Sequence, residues 1–215
     1  LASLGHQSFL ADLLYVRVAH YFVDHLIGDS QLPWLDLYLD AIWGLDAHNR
    51  STYRWGAQVI KFGQRIDGDV ARRANRFCRL GLEYFPSDSW LYHEIAFNLS
   101  YHMPEADKLQ EAAHRDLGLQ YLRIAFQMPG FGYDPNYLAH QYARAGQVDE
   151  SVSVALQTYA SATSEQRAQL RIRLKERDKQ DAVRELAWLD RFAQRDWPHV
   201  AETLARFVGP KREVA

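Results

Sequence analysis

The amino-acid sequence predicts an all-α protein assembled from consecutive helix pairs. Three observations lead there. Apolar residues recur at three- and four-residue spacing along nearly the whole chain. The 7 prolines and 12 glycines fall mostly between those periodic stretches, where helices end. Rings of Trp, Tyr and Phe make up 13% of residues, a supply suited to the wide seams between packed helices.

The first helix is expected over 9–26, where Leu10, Leu13, Leu14, Val18 and Phe22 share helical spacing. Gly28-Asp29-Ser30 breaks it, and Pro33 sits where a first helical turn tolerates proline. A second helix follows to about 45. Asn49-Arg50-Ser51 opens a third, reaching roughly to 64. Asp67-Gly68-Asp69 is a turn, and the fourth helix runs from it until Pro86 stops it. Ser87 or Asp88 can cap the fifth, 90–102. Met103-Pro104 ends that helix, and a charged linker leads into a sixth that closes near 127. Pro129-Gly130-Phe131-Gly132 is the clearest loop in the chain. Helices seven and eight, 136–145 and 149–160, are parted by Gly146-Gln147. Three charged helices complete the chain, at 165–179, 182–194 and 198–207. Residues 169–175 alternate apolar and basic side chains as a strand would, but alternation this short inside a helical chain reads as helix. The count is about eleven helices, and the linkers are short enough to predict a single domain over 1–215.

Composition removes several function classes. A net charge of −2 provides no general attraction to nucleic acid or anionic lipid. The single cysteine, Cys78, rules out an internal disulfide and any cysteine-based zinc site, and its expected place is the core. No run approaches the roughly 18 apolar residues of a membrane span.

The periodic segments resemble the tetratricopeptide repeat, in which small residues mark close helix contacts and large ones fill the grooves beside them. The first unit has Tyr15, Val18, Ala19 and Phe22, then Leu35, Leu39 and Ile42. The second has Trp55, Gly56 and Val59, then Ala74, Cys78, Gly81 and Pro86. The third has Tyr92, Ile95, Ala96 and Leu99, then Gly118, Leu122, Ala125 and Pro129. The fourth has Leu138, Ala139, Tyr142 and Gly146, then Ser151, Ala155 and Thr158. The anchors Ala19, Gly56, Ala96 and Ala139 stand 37, 40 and 43 residues apart, against a family period of about 34, so the turns are lengthened. Thr52, Pro135 and Ala47 depart from the family pattern. The resemblance implies a right-handed superhelix (an α-solenoid) of four degenerate pairs over 9–160, with C-terminal capping helices over 161–215.

A closer likeness is to bacterial envelope-anchored proteins of this repeat class. Ser3-Leu4-Gly5, Ala11-Asp12-Leu13-Leu14, Leu45-Asp46-Ala47 and Trp197-Pro198 with Leu204 are similar to phrases found there in the same order. That likeness implies a periplasmic or membrane-associated setting. It also implies an N-terminal anchor ahead of Leu1.

Candidate chemistry is sparse. His20, Asp24 and His25 share a helix, but a zinc site needs further ligands and nothing marks one. His93-Glu94 has Phe97 where a zinc-protease helix needs its second histidine. Asp36 and Asp40 read as one solvated helix face. Gly130-Phe131-Gly132 lacks the Gly-Lys-Ser/Thr of a phosphate loop. Asn49-Arg50-Ser51 and Asn98-Leu99-Ser100 match glycosylation sequons, the second inside a packed helix. The basic run Arg167, Arg171, Arg173, Lys175, Arg177 and Lys179 is diluted by Glu165, Glu176 and Asp178, so internal ion pairing is expected, with a docking face for an acidic partner or lipid headgroups as the other option. No catalytic set, metal or cofactor is expected.

What remains is binding. In the repeat family the first helix of each unit lines a groove, and the resemblance carries that role to Leu13, Val16, His20 and Asp24, to Arg50, Tyr53 and Lys61, to Trp90, His93, Phe97 and Tyr101, and to Tyr133, Asn136, His140 and Arg144. Aromatics mixed with cations are the usual composition of a hot-spot surface. The strongest set for holding a protein or peptide is therefore Tyr53, Trp90, His93, Phe97, Tyr101, Tyr133, His140 and Arg144. The expected function is a non-enzymatic scaffold or assembly subunit. The alternative is an enzyme on a helical-repeat scaffold with an unrecognised acid–base or metal site.

Overall fold

The computed structural model describes residues 5–29, 31–63, 65–103, 108–133, 135–159, 163–176, 183–184 and 186–187. Among them there is no strand, and nine helices follow in order. These are α1 (Gln7–Ile27), α2 (Leu35–Leu45), α3 (Arg50–Val59), α4 (Gly68–Tyr84), α5 (Ser89–Tyr101), α6 (Lys108–Gln127), α7 (Pro135–Arg144), α8 (Val148–Thr158) and α9 (Ser164–Glu176). The all-α class is as expected. The tenth and eleventh expected helices, 182–194 and 198–207, lie largely or wholly outside the described residues, as do Ser3-Leu4 and Trp197-Pro198.

Short polar side chains start three of these helices by satisfying amides that have no partner in the first turn. The Asn49 side chain accepts from the Thr52 N–H, Asp67 from those of Asp69 and Val70, and Asp88 from that of Trp90. α3 ends at Val59, earlier than its apolar period suggests, because residues 60–63 turn. Ile60 and Lys61 are nonetheless buried there. Residues 169–175 are helical, within α9.

Where one domain was expected, the chain divides into two compact units, Leu1–Gly132 and Tyr133–Ala215. The division falls at the 129–132 loop. In the first unit α1 packs on α2, α3 on α4, α4 on α5 and α5 on α6. Its core joins Ala11 and Val18 of α1, Leu39 and Ile42 of α2, Tyr53 and Ala57 of α3, Ala74, Phe77 and Cys78 of α4, and Leu91 and Ile95 of α5. The second unit is built on α7 against α8, with Ala139, Ala155, Leu156, Tyr159 and Leu170 buried together.

The small-residue anchors are used unequally. A Cβ on Gly56 would come within 2.6 Å of the Phe77 ring and 3.2 Å of Leu39, so α3 closes on α4 and α2 at this point. Gly118 does the same between α6 and α5, where a Cβ would sit 3.1 Å from the Ala96 carbonyl. Ala19 is a correction: it is only half-buried, while Ala11 and Val18 are fully buried. The core side of α1 therefore turns on Ala11 and Val18.

Replacing Gly56 by Leu should cost roughly 1–3 kcal/mol by forcing Phe77 and Leu39 aside. A thermal midpoint equal to that of the wild type would show that the α3–α4 contact is looser than these distances require.

Candidate functional site

The polar and aromatic residues singled out in α3 and α5 meet in the first unit, and two buried carboxylates organise them. Asp88, fully buried at the start of α5, accepts from the Trp90 amide at 3.1 Å. It also receives Arg50 Nε at 2.6 Å, Arg54 Nε at 3.0 Å and Arg54 Nη2 at 2.6 Å. Two guanidinium groups thus share one carboxylate across α3 and α5. Burial works against the charged form of Asp88, but the Arg54 and Arg50 hydrogen bonds outweigh it and hold the carboxyl below its usual range. Arg54 also lies over the Trp90 ring, 5.8 Å from its centre.

Two turns along α5, Glu94 accepts from Lys61 Nζ and, at 2.8 Å, from Gln58 Nε2. The Lys61 and Glu94 side chains are only 8% and 6% exposed. Lys61 also donates to Asn98 Oδ1 at 3.3 Å, and Asn98 Nδ2 donates to Asn75 Oδ1 at 2.9 Å. Asn75 Nδ2 reaches Met103 Sδ at 3.8 Å. One hydrogen-bonded chain therefore crosses α3, α4 and α5 inside the core.

Aromatic rings lie along the same helix. His93 is 6.3 Å from Phe97 and 5.7 Å from Phe131. Phe97 is 4.8 Å from Tyr101 and 5.2 Å from His102. Lys61 Nζ stands 5.9 Å from the centre of the Phe97 ring. Burial, aided by the Lys61 charge and opposed by Glu94, lowers the pKa of His93 and of His102 below the ordinary imidazole value.

The expected site residues separate by exposure. Of the four on α5, Tyr101 stands outermost at 36% exposed. Trp90 and Phe97 are half-buried and His93 is buried, with Trp90 packed against the core cluster beneath Arg54. Tyr53 is a correction: at 1% exposed it belongs to the core, not to a groove. Its hydroxyl donates to the Ala47 carbonyl at 2.7 Å, and its ring meets Phe77 and Phe85. Burial raises its pKa well above the usual phenol range. Lys61 is likewise buried, and Arg50 is committed to Asp88. Leu13, Val16, His20 and Asp24 are exposed on α1. Tyr133, His140 and Arg144 are exposed in the second unit, with Tyr133 5.7 Å from Tyr137. The Asn136 side chain is outside the described residues.

Other sequence candidates find structural employment. Asp36 takes a bidentate pair from Arg73 at 2.7 and 2.9 Å, and Asp40 lies 3.5 Å from Arg76, so the carboxylates read as a solvated face tie α2 to α4. His25 sits 2.7 Å from Asp29. Asn98 is fully buried, which removes the second sequon as an acceptor. Arg171 donates to the buried Tyr159 hydroxyl at 3.0 and 2.6 Å, and Arg167 lies over that ring at 5.1 Å. Part of the basic run therefore faces inward within the second unit. Among the described residues no cluster of three or more His, Cys, Asp or Glu could hold a metal ion, and no helix is long and apolar enough to cross a membrane.

Comparison with known protein families, curated proteins and solved structures finds no match to this chain. Sequence reasoning missed the Lys61–Glu94–Asn98–Asn75 chain. Its only signal was polar residues on the core sides of α4 and α5, at Asn75 and Asn98.

Removing Glu94 alone leaves the Lys61 ammonium buried without its carboxylate. Glu94→Ala should therefore cost about 3–5 kcal/mol in denaturant melts, and Lys61→Met with Glu94→Leu should recover much of that loss. Additive losses in the double variant would refute the coupling.

His93 supplies a pH dependence with a definite sign. Its pKa is depressed in the fold, so below the ordinary imidazole value of 6.5 the unfolded chain takes up the proton first. Stability attributable to His93 is present above that pH and lost as the pH falls towards the folded pKa. Denaturation midpoints taken from about pH 8 to pH 5 should decline in the wild type and decline less in His93→Gln. Parallel curves would show that His93 does not contribute.

Proposed function

We propose that this chain is a non-enzymatic protein-interaction scaffold of the tetratricopeptide type, an assembly subunit that holds a segment of another protein along α5. The observation that carries the reading is the α5 array itself. Trp90, Phe97 and Tyr101 run along one side of the helix, and the two buried carboxylates fix the helix beneath them. Rigid aromatic anchors over a satisfied polar layer lose little side-chain entropy on binding.

Charge narrows the partner. Lys61 is matched by Glu94, whereas Arg50 and Arg54 share the single carboxylate of Asp88. The surplus cation lies at the Trp90 end, where the Arg50 side chain is half exposed. A fitting segment carries an apolar or aromatic residue for the Phe97–Tyr101 end and an acidic residue for the Arg50–Trp90 end. Resemblance to envelope-anchored repeat proteins makes a subunit of a membrane complex the first partner to seek.

An acid–base site would draw on Lys61, Glu94 and His93, where the ammonium and the carboxylate both act on the imidazole. Lys61 and Glu94 are bonded to each other and to Asn98 and Gln58, with little exposure. Such saturation suits a structural layer better than a group that must meet a substrate.

The test is a pull-down with Trp90→Ala, Tyr101→Ala, alongside Tyr101→Ala alone. The double variant should keep wild-type helical circular dichroism and lose the natural partner; the single variant should weaken it. An unfolded double variant with an unchanged single variant would assign these rings to the core. A folded double variant that keeps its partner would move the binding face elsewhere.

A further inference from the structure

α1 is apolar on two opposite sides. Ala11 and Val18 are fully buried in the core. Nine residues on either side of Val18, two and a half turns away, stand Phe9 and Ile27, which therefore project from the opposite side of the helix. Between them Leu13, Val16, His20 and Val23 complete a row spaced 4, 3, 4, 3, 4. All six are exposed, and the five apolar members are between 46% and 81% exposed. A helix that is hydrophobic all round is normally covered all round.

We propose that this outward face of α1 is the seam of a parallel, in-register dimer of the chain. The spacing is that of a two-stranded coiled coil, with Leu13, His20 and Ile27 at a positions and Phe9, Val16 and Val23 at d positions. Register and direction follow from the polar groups. In a parallel pair the His20 rings of the two copies meet in one layer, where one ring N–H donates to the other ring's bare nitrogen. In the antiparallel register His20 faces Val16, and its polar nitrogens are covered without a partner. A buried polar a position is a known means of fixing register. The flanks agree. Asp12 falls at g and Arg17 at the following e, so the parallel pair sets Asp12 of each copy beside Arg17 of the other. The antiparallel pair instead brings the two Arg17 residues together. Arg17 gives Nε to the Tyr38 hydroxyl at 3.3 Å and has its Nη groups left for this contact.

The helix is already folded by its core side, so association need not supply the ordering that an isolated three-heptad peptide would require. Six side chains at this exposure present on the order of 500 Å² per copy, about 1,000 Å² for the pair, the lower bound for a specific interface. A micromolar dimer is the consequence. A membrane surface fits less well, because Asp12 and Asp24 flank the row where an interfacial helix carries lysine and arginine.

Sedimentation equilibrium of the full chain over a concentration series tests this. The wild type should show a monomer–dimer equilibrium, and Leu13→Glu with Val23→Glu should be monomeric with unchanged circular dichroism, since both positions are exposed. Asp12→Arg should weaken the dimer about tenfold or more, and Asp12→Arg with Arg17→Asp should restore it. His20→Cys should form a disulfide-linked dimer on mild oxidation, because Cys78 is fully buried and does not compete. A wild-type chain that stays monomeric at on the order of 100 µM would overturn the proposal. So would a dimer that survives Leu13→Glu with Val23→Glu, or one that crosslinks through Val16→Cys with His20→Cys and not through His20→Cys alone. Monomer that instead floats with zwitterionic vesicles would also overturn it, and would reassign the face to lipid.

Discussion

Burying an ammonium and a carboxylate together costs several kcal/mol per ion in lost hydration, and the pair survives only where its remaining hydrogen-bonding capacity is met. Lys61 and Glu94 meet that condition through Gln58, Asn98 and Asn75. Each of these comes from a different part of α3–α5, so the network is complete only when the three helices stand in one relative position. An apolar core tolerates small slides between helices; a saturated polar chain does not. The placement of Phe97 and Tyr101 at the surface follows from that constraint, because Glu94 and Asn98 fix the rotation of α5.

Asp88 extends the same logic to the start of the helix. One carboxylate caps α5, draws in Arg50 and Arg54 and, through Arg54, covers the Trp90 ring. The turn after α4, the direction of α5 and both partly exposed guanidinium groups of the array thus depend on a single buried group. The second unit repeats the device with other residues, where Arg167 and Arg171 converge on Tyr159. In both units positive side chains meet internal partners, and of the cations expected in the groove Lys61 is the one that is buried, while Arg50 stays half exposed and Arg144 exposed.

α1 shows the limit of reading a face from one list of apolar positions. Its sequence contains two rows half a turn apart, one through Ala11 and Val18 and one from Phe9 to Ile27. Either could have faced the core. Tyr15 and Phe22, which meet Trp55 edge-on, settle the matter by supplying large rings on the Ala11–Val18 side. The row left outside is the more regular of the two, and regular heptad spacing is what a neighbouring helix requires rather than what a globular core requires.

Helix positions, the start of α3 at Asn49, a cap for α5 at Ser87 or Asp88, and the close approaches at Gly56 and Ala96 were legible in the sequence, whereas Asp67 read as part of a turn and proved to cap α4. They depend on interactions within a few residues or on side-chain size, and both are local properties. The break at 129–132 was legible too, although its standing as a division between compact units was not. Sequence could not place Tyr53 in the core, Lys61 beside Glu94 or Asp36 beside Arg73, since those partners lie 33 to 37 residues apart and nothing local distinguishes a charge that will be matched from one left to solvent. Family-based reasoning assigned Tyr53 to a groove because it stands on the first helix of its unit; the tertiary structure rotates that helix so that Gly56 meets Phe77, which carries Tyr53 inward with it. Which side of a helix becomes core is decided by packing against its neighbours, and that is the information a one-dimensional pattern lacks.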